Sequence, residues 1–187
     1  AAPGGKTMQM AAAGAEVYAV DRSALRLERL KENVHRVRLD RSVICEVSDG
    51  ELWDAPELLD AVLLDAPCTA TGTLRRNPDA MWLKKSEDVA SMVKIQRALL
   101  NRATQMLKPG GTLLYCTCSL QKDEGERQLE AFLEDHKDFN VQPITPVEVP
   151  ELEHAITDEG YLRILPHYWA DYGGMDGFFI GRLVKDV

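Results

Sequence analysis

Hydrophobic and polar positions follow two different periods along this chain. Short apolar runs, typical of strands buried on both faces of a sheet, are separated by stretches in which apolar residues recur every three or four positions. Alternation of this kind predicts an α/β fold, with a mostly parallel sheet and helices on both of its faces. The runs predicted as strands are residues 16–20, 43–47, 61–64 and 112–116.

Capping residues place the helices between these strands. Ser23 predicts the N-cap of a helix that runs to about Leu39, and Ser86 predicts the start of a long helix. Asp123 and Glu126 have the spacing of a capping box, which predicts a further helix. The apolar face of the first helix is predicted to contain Leu27, Leu30, Val34 and Val37.

The C-terminal part of the chain has a different pattern. Residues 161–165 and 178–183 are predicted to form a final antiparallel pair of strands. Residues 166–177, which are rich in glycine and aromatic side chains, connect them. The sheet is therefore expected to end in an antiparallel strand pair.

Size and charge limit the classes of function. The 187 residues, of which 45% are hydrophobic, suit one domain with a substantial core. The formal net charge of −8 argues against a stand-alone nucleic-acid binder, although Arg75-Arg76 and Lys84-Lys85 offer local sites for phosphate groups. No apolar stretch is long enough to span a membrane and no signal peptide is visible, so a cytoplasmic protein is expected.

The cysteines and the start of the chain complete this picture. The four cysteines are expected to be reduced, and neither they nor the four histidines have the spacing of a zinc site, so no metal is expected.

Pro3, Gly4 and Gly5 form a turn typical of the exit of a strand, yet no strand precedes them here. We therefore expect a single, monomeric domain, residues 1–187, whose first strand lies upstream.

Acidic residues follow three successive predicted strands. Asp21, Asp49 and Asp65 each stand at such a strand end. In nucleoside-binding α/β folds, carboxylates at these positions bind the ligand, because the carboxyl ends of parallel strands meet at one crevice. The turn from Ala1 to Thr7, which is predicted to continue as a short helix, would add backbone amides and the cation of Lys6. Together these residues indicate a nucleoside-binding site.

The same turn allows a second interpretation. Gly4-Gly5-Lys6-Thr7 ends like a phosphate-binding P-loop, and residues 62–65 resemble a Walker B strand. The first glycine of the P-loop pattern would fall before Ala1, so the chain does not complete that pattern. A P-loop nucleotide hydrolase therefore stays an open alternative on these two features.

Two cysteines carry the candidate chemistry. Cys68 and Cys118 each follow a predicted strand, in a polar and turn-forming context. Both thiols are expected at one crevice, where one thiolate can attack an electron-poor ring carbon and the other thiol can act as its acid/base partner. Cys45 and Cys116 stand inside apolar runs and are predicted to be core residues.

Three motifs stand in a fixed order along the chain: Ala1-Ala2-Pro3-Gly4-Gly5-Lys6-Thr7, Asp65-Ala66-Pro67-Cys68-Thr69-Ala70-Thr71-Gly72 and Tyr115-Cys116-Thr117-Cys118-Ser119-Leu120. Two further segments, Arg75 to Asp79 with Trp82, and Met175 to Phe179, accompany them. This ordered set resembles the Sun/Fmu (RsmB-type) RNA cytosine-5 methyltransferases over nearly the whole chain. The departures are minor: Cys116 stands where a small residue is usual, and Asn77 replaces a frequent histidine.

The resemblance implies a Rossmann-like class I fold and transfer of a methyl group from S-adenosylmethionine to carbon 5 of an RNA cytosine. The expected substrate is 16S ribosomal RNA, with transfer RNA as the alternative. It implies Cys118 as the nucleophile that attacks carbon 6, and Cys68 as the residue that assists product release. Asp65 would contact the cytosine edge, while Lys6 would hold the flipped base and favour the thiolate. The implied cofactor-binding residues are Ala1, Ala2, Pro3, Gly4, Gly5, Lys6, Asp21, Arg26, Asp49 and Asp65, and the implied RNA-binding residues are Arg75 and Arg76.

The resemblance also implies an RNA-binding domain upstream of this chain, which would supply the choice of target. One further alternative is a non-catalytic RNA-binding assembly factor built on a methyltransferase fold. The presence of Cys68, Cys118, Asp65 and Lys6 argues against that alternative, because a factor without catalysis has no need of this set.

Overall fold

A computed structural model describes residues 1–79, 82 and 85–187, with only the backbone of Ser86. The described chain divides into two compact units, Ala1–Asp54 and Ala55–Val187, called here the N-terminal and the C-terminal unit. An irregular loop is predicted after the strand at residues 61–64, through about Leu83. That loop end and the basic residue Lys84 lie outside the described residues. The assignment of residues 1–187 to one domain stays a prediction.

The N-terminal unit is built from two helices and two parallel strands. Helix α1 spans Gly5–Ala12, strand β1 Val17–Asp21, helix α2 Ala24–Arg36 and strand β2 Val43–Val47. Strands β1 and β2 pair in parallel, with Val17 opposite Val43. The buried side chains of its core are Ala2, Ala11, Val17, Ala19, Leu27, Leu30, Val34 and Val43.

The predictions for helix α2 are largely confirmed. Ser23 is the N-cap, and its hydroxyl oxygen accepts a hydrogen bond of 3.3 Å from the amide of Arg26. Leu27, Leu30 and Val34 are buried, as the helical spacing predicts. Val37 was expected on the same face but is 40% exposed, because the helix ends at Arg36 and Val37 follows its last turn.

Among its described residues, the C-terminal unit contains five strands and two longer α-helices. Its elements in chain order are strand β3 (Leu59–Asp65), helix α3 (Ser86–Met106), strand β4 (Leu107–Thr117), helix α4 (Glu126–Asp135), strand β5 (Phe139–Val141), strand β6 (Leu162–Ile164) and strand β7 (Phe178–Lys185). The strand order is β3–β4–β7–β5, and β6 also pairs with β7. The buried core includes Leu100, Leu113, Tyr115, Leu129, Phe132, Phe179 and Leu183.

The sheet of the C-terminal unit is mixed rather than mostly parallel, whereas β1 and β2 form a parallel pair. Strands β3 and β4 are parallel, and the predicted antiparallel pair of β6 and β7 is confirmed. Strand β7 also runs antiparallel to β4 and to β5. Strand β5 was not predicted, because its three residues are too few to show a period in the sequence.

The capping box predicted at Asp123 and Glu126 is wrong. Helix α4 begins at Glu126 after Gly125, without a side-chain cap, and the preceding residues Lys122–Glu124 form a 3₁₀ turn. The carboxylate of Asp123 pairs instead with Arg127 at 2.8 Å, one helical turn further on. The carboxylate of Glu126 pairs with the guanidinium group of Arg163. Both acidic side chains thus have partners that compete with the capping geometry.

Within the described residues, no helix has the length and apolar character needed to cross a membrane.

Candidate active site

Strands β3 and β4 bring the two predicted catalytic cysteines together. The strands are parallel and Asp65 lies opposite Cys116, so the segments that follow them leave the sheet at the same edge. Cys68 and Cys118 lie on these segments, and their sulfur atoms are 3.4 Å apart. The prediction that both thiols meet at one place is confirmed.

Backbone hydrogen bonds join the two cysteine segments. The amide of Ala66 donates to the carbonyl of Cys116 and the amide of Gly72 donates to the carbonyl of Cys118, each at 2.9 Å. Gly72 is required for this approach. A Cβ atom there would overlap the carbonyl oxygen of Gly177 and lie 2.8 Å from that of Cys118. The backbone therefore fixes the distance between the thiols.

A buried carboxylate lies beneath the pair. Glu124 has no exposed surface, and its side chain accepts hydrogen bonds from the amide of Thr69 at 2.9 Å and from Nε2 of Gln96 at 3.0 Å. The hydroxyl groups of Thr69 and Ser119 donate to the same carboxylate. The sequence analysis missed Glu124. Its only signal was a position six residues after Cys118, beside a glycine, and that pattern has no specific meaning.

Cys68 holds its proton more strongly than a free thiol does. Cys68 has its pKa raised well above that of a free thiol, first because its S–H group is hydrogen-bonded to Cys118, then because it is buried, and then because of the charge of Cys118. The nearby carboxylate of Glu124 acts in the same direction. The raised pKa keeps Cys68 protonated, so its S–H group can donate to the sulfur atom of Cys118, 3.4 Å away.

The other two cysteines are separate from this pair. Cys116 is buried, as predicted, and its S–H group donates to Oδ1 of Asp65 across 3.6 Å. Cys45 is half-buried and packs against the core of the N-terminal unit, so its prediction as a core residue is confirmed in part. All four cysteines are free thiols.

The remaining predicted residues of the C-terminal unit lie on its surface. Asp65 ends β3 and is exposed. Arg75 and Arg76 are exposed and follow the 3₁₀ turn Thr71–Thr73. Arg76 donates through Nε to the carboxylate of Asp176 at 2.8 Å, and Gly177 donates to the carbonyl of Gly72 at 2.8 Å. These two contacts join residues 176–177 to the segment that carries Cys68 and the arginine pair.

The glycine turn of the N-terminal unit leads into α1. Gly4 is the N-cap residue and has a φ of 108°, a left-handed value that favours glycine. A Cβ atom on Gly4 would also lie 3.0 Å from Cγ of Leu30, whereas one on Gly5 would meet nothing within 4 Å. Open space therefore remains at the first residue of the helix, where the amide groups are unpaired within the helix.

Asp21 connects this turn to the end of β1. Oδ2 of its buried carboxylate accepts from the amino group of Ala1 at 3.0 Å, and Oδ1 accepts from the amide of Ser23 at 3.0 Å. Arg26 lies 3.5 Å from the same carboxylate and donates to the carbonyl of Ala2 at 2.6 Å. Burial opposes ionisation of Asp21, but the hydrogen bonds outweigh it and the pKa is lowered. Four of the predicted cofactor residues therefore meet here.

Three other predicted cofactor residues are not part of this cluster. Pro3 is exposed, and its carbonyl accepts from the side chain of Asn33 at 3.1 Å. Asp49 follows β2 and is exposed, and its carboxylate accepts from the amide of Glu51 at 3.0 Å in a local turn. Lys6 lies in the first turn of α1 and is half-buried.

With this geometry in view, the relatives of the chain can be compared. Residues 1–184 match the family described as 16S rRNA methyltransferase RsmB/F. The chain belongs to this family. It is 39% identical over 188 residues to ribosomal RNA small subunit methyltransferase B of Vibrio cholerae, a match that covers 99% of this chain and 40% of the relative. The chain therefore spans about 40% of the length of that curated relative.

Solved structures agree with this membership. NSun6 from Pyrococcus horikoshii, solved with SFG, superposes with a TM-score of 0.80 at 29% identity over 99% of this chain and 46% of that chain. A methyltransferase homolog protein from the same organism has a TM-score of 0.76 at 31% identity, over 99% of this chain and 59% of that chain. The fold is that of the class I methyltransferases, as predicted, and the P-loop hydrolase is no longer a competing interpretation.

S-adenosylmethionine is the cofactor of this family, and SFG is one of its analogues. The N-terminal unit offers groups that suit it. The open first turn of α1 at Gly5 presents amide donors, which suit the carboxylate of a methionine moiety. Asp49 is an exposed acceptor at a strand end, which suits the hydroxyl or amino groups of a nucleoside. The residues present therefore fit the cofactor.

Proposed function

We propose that the chain catalyses methylation of carbon 5 of a cytosine in 16S ribosomal RNA, through a covalent bond between Cys118 and carbon 6. The observation that carries this proposal is the 3.4 Å separation of the sulfur atoms of Cys68 and Cys118 in a member of the RsmB/F family. Two thiols in contact suit this reaction because one thiol must form a bond to the ring, and the other can assist when that bond later breaks.

The proposed role of Cys118 is to activate carbon 5. Carbon 5 of cytosine is a poor nucleophile, and addition of the Cys118 thiolate to carbon 6 turns carbon 5 into the nucleophilic carbon of an enamine. S-adenosylmethionine supplies the methyl group that carbon 5 then takes up. This assignment is supported by the position of Cys68, whose protonated thiol lies 3.4 Å from Cys118 and can stabilise a thiolate there.

The proposed role of Cys68 is to assist release of the product. The proton on carbon 5 passes to water, its bonding pair forms the double bond between carbons 5 and 6, and the bond from carbon 6 to sulfur breaks. The electron pair returns to the sulfur of Cys118. The S–H group of Cys68 then donates a hydrogen bond to this departing thiolate, which lowers the barrier to its departure.

The other predicted residues complete the proposal. Asp65 is proposed to accept a hydrogen bond from the Watson–Crick edge of the cytosine, and Lys6 to stabilise the unstacked base. Arg75 and Arg76 are proposed to bind RNA phosphates, which is consistent with their exposure. The proposed cofactor-binding residues are Ala1 to Lys6, Asp21, Arg26, Asp49 and Asp65.

The substrate and the domain organisation are part of the same proposal. Ribosomal RNA is the substrate named for the Vibrio cholerae relative, and we prefer it to transfer RNA for that reason. Residues 1–187 are proposed to act as one catalytic domain, and the choice of target is proposed to depend on a separate RNA-binding domain. Titration of S-adenosylmethionine into this chain by calorimetry measures whether its residues are sufficient for cofactor binding.

Two cysteine variants test the chemistry. Protein is incubated with 16S ribosomal RNA and S-adenosylmethionine labelled in its methyl group. The label incorporated into RNA is counted, and covalent protein–RNA adducts are detected on a denaturing gel. Cys118→Ala is expected to abolish methylation, and Cys68→Ala to accumulate a covalent protein–RNA adduct. Turnover in Cys118→Ala would remove the nucleophile from the proposal. Cys116→Ala is the matched control and is expected to form no adduct.

A further inference from the structure

We propose that Glu124 is a positioning residue for the thiol pair, because its buried carboxylate and carbonyl tie the segment of Cys68 to the segment of Cys118. No step of the proposed function uses Glu124. The relevance of this residue to catalysis rests on the proposed function, whereas its action on the two thiols does not.

On the side of Cys68, Glu124 binds the segment on both flanks of the cysteine. The amide of Thr69 donates to Oε1 of Glu124 at 2.9 Å, and the hydroxyl of Thr69 donates to Oε2. Nε2 of Gln96 donates to Oε1 at 3.0 Å and also to the carbonyl of Pro67 at 2.9 Å. Residues 67 and 69 are therefore both held by the same carboxylate, directly or through one amide group.

On the side of Cys118, Glu124 also binds both flanking residues. The hydroxyl of Ser119 donates to Oε2 of Glu124. The hydroxyl of Thr117 donates to the backbone carbonyl of Glu124 at 3.3 Å, and the hydroxyl of Tyr115 donates to the same carbonyl at 2.9 Å. One residue thus fixes the neighbours on both sides of both cysteines, which restricts the sulfur positions more than either strand does alone.

The network is sealed from water. Glu124, Thr69, Gln96, Thr117 and Ser119 all have 0% exposure. Among the described residues, the hydrogen-bond partners of the Glu124 side chain are neutral amide and hydroxyl groups. These donors hold both oxygen atoms of the carboxylate in place beside the cysteine segments, and the carboxylate is one of the groups that raise the pKa of Cys68.

The sign of this action follows from the charge. A negative group near Cys68 disfavours loss of its proton, which keeps Cys68 as the donor to Cys118. Other titratable or charged groups also act on the pair, so a comparison of variants must hold them constant. They are Arg76, which interacts with Cys118, and Tyr115, which interacts with Cys68. Asp65 and Arg163 bind the neighbouring residues Cys116 and Ser119 and are held constant as well.

The first test measures the pH profile of alkylation by iodoacetamide, resolved to each cysteine by peptide mass spectrometry. Glu124→Gln keeps the size of the side chain and removes its charge. The apparent pKa for alkylation of the pair is expected to fall by about 1 pH unit, because the negative charge no longer retains the proton. Asp123→Asn is the matched control: it removes an exposed neighbouring carboxylate and is expected to leave the profile unchanged.

The second test uses a residue other than Glu124, in case that variant does not fold. Thr69→Val removes the hydroxyl that binds the carboxylate at almost constant volume, and Thr69→Ser restores it. The rate of disulfide formation between Cys68 and Cys118 with diamide is expected to fall at least about threefold in the first variant and to recover in the second, because the first loses one of the hydrogen bonds that hold the segments in register.

The outcomes separate the two proposals. An unchanged alkylation profile in folded Glu124→Gln, an equal shift in Asp123→Asn, or an unchanged rate in Thr69→Val would overturn the role of Glu124. Both thiol measurements use neither RNA nor cofactor. If they succeed and no methyl transfer to cytosine is found, then the proposed function fails while the role of Glu124 stands. If both hold, Glu124→Gln is expected to lower kcat with little change in KM for RNA.

Discussion

Two buried carboxylates organise the two units of this protein in opposite ways. Asp21 in the N-terminal unit is 8% exposed and lies beside the amino group of Ala1 and the guanidinium group of Arg26. Glu124 in the C-terminal unit has no exposed surface, and the described partners of its side chain are neutral. Both accept backbone amide hydrogen bonds, so the difference lies in the compensating charge.

The difference separates an anchoring role from an electrostatic one. The charge of Asp21 is balanced by the guanidinium group of Arg26, and its hydrogen bonds hold the turn against the end of β1. The described side-chain partners of Glu124 are neutral, and its carboxylate contributes to the raised pKa of Cys68. A buried carboxylate with neutral partners beside two cysteines is therefore a functional element, although its hydrogen bonds resemble those of a structural one.

The largest expected effect is complete oxidation of one cysteine pair. Diamide is expected to join Cys68 and Cys118 in a disulfide, because the 3.4 Å between their sulfur atoms needs only a small movement to reach a bond length of about 2.05 Å. Titration of thiols in the unfolded protein is expected to find two of the four remaining, Cys45 and Cys116. Peptide mapping that shows any other pairing would contradict the geometry.

The second prediction contrasts the two carboxylates directly. Glu124→Leu is expected to reduce the free energy of unfolding by about 3–5 kcal/mol, because its buried donors lose their acceptor without access to water. Asp21→Leu is expected to cost only about 1–2 kcal/mol, since Arg26 is 58% exposed and can turn to solvent. Urea unfolding measures both, and equal losses would remove the contrast.

The third prediction compares one glycine from each unit. Gly72→Ala is expected to destabilise the protein by about 1–3 kcal/mol, because its Cβ would overlap the carbonyl of Gly177 and crowd that of Cys118. Gly5→Ala is expected to stabilise by about 0.5–1 kcal/mol, because its Cβ meets nothing and alanine favours the helix. Thermal unfolding distinguishes the signs; a stabilising Gly72→Ala would show that the cysteine segments are looser than described.

The smallest expected effect is the pH dependence due to Asp21. Its pKa is lowered in the folded state, so its contribution to stability is present above its unfolded pKa of about 3.9 and is lost as the pH falls through the folded value. Stability is expected to decrease in that acidic window, and Asp21→Asn is expected to flatten the decrease. Urea midpoints measured between about pH 2 and pH 6 test this. A variant with the same slope as the wild type would assign the acid loss to other carboxylates.

Local patterns predicted most of the elements correctly. The strand at residues 43–47 is found with those bounds, and Ser23 caps α2, because both depend on neighbours in the sequence. The wrong capping box has a physical cause outside the local pattern. Asp123 and Glu126 have the spacing of a capping box, but each finds a cationic partner, Arg127 or Arg163, that the local pattern does not include.

The sequence predicted the candidate site about as completely as it predicted the elements of the fold. Motifs identified Cys68 and Cys118, and parallel strands explain why they meet. Glu124 could not be found in this way, since its partners come from residues 67–69, 96 and 115–119, which are distant in the chain. A single acidic residue has no periodicity, and its importance depends on burial, which is a property of the folded chain.

The sequence by itself determined the type of fold, the order of most of its elements and which two thiols are proposed to react, because apolar periodicity, caps and motifs are local properties. Only the tertiary structure decided the 3.4 Å contact between those thiols, the antiparallel position of β7 between β4 and β5, and the burial of Glu124 beneath the pair. These features depend on the packing of segments far apart in sequence, where burial decides which polar groups must find partners and which charges act at low dielectric.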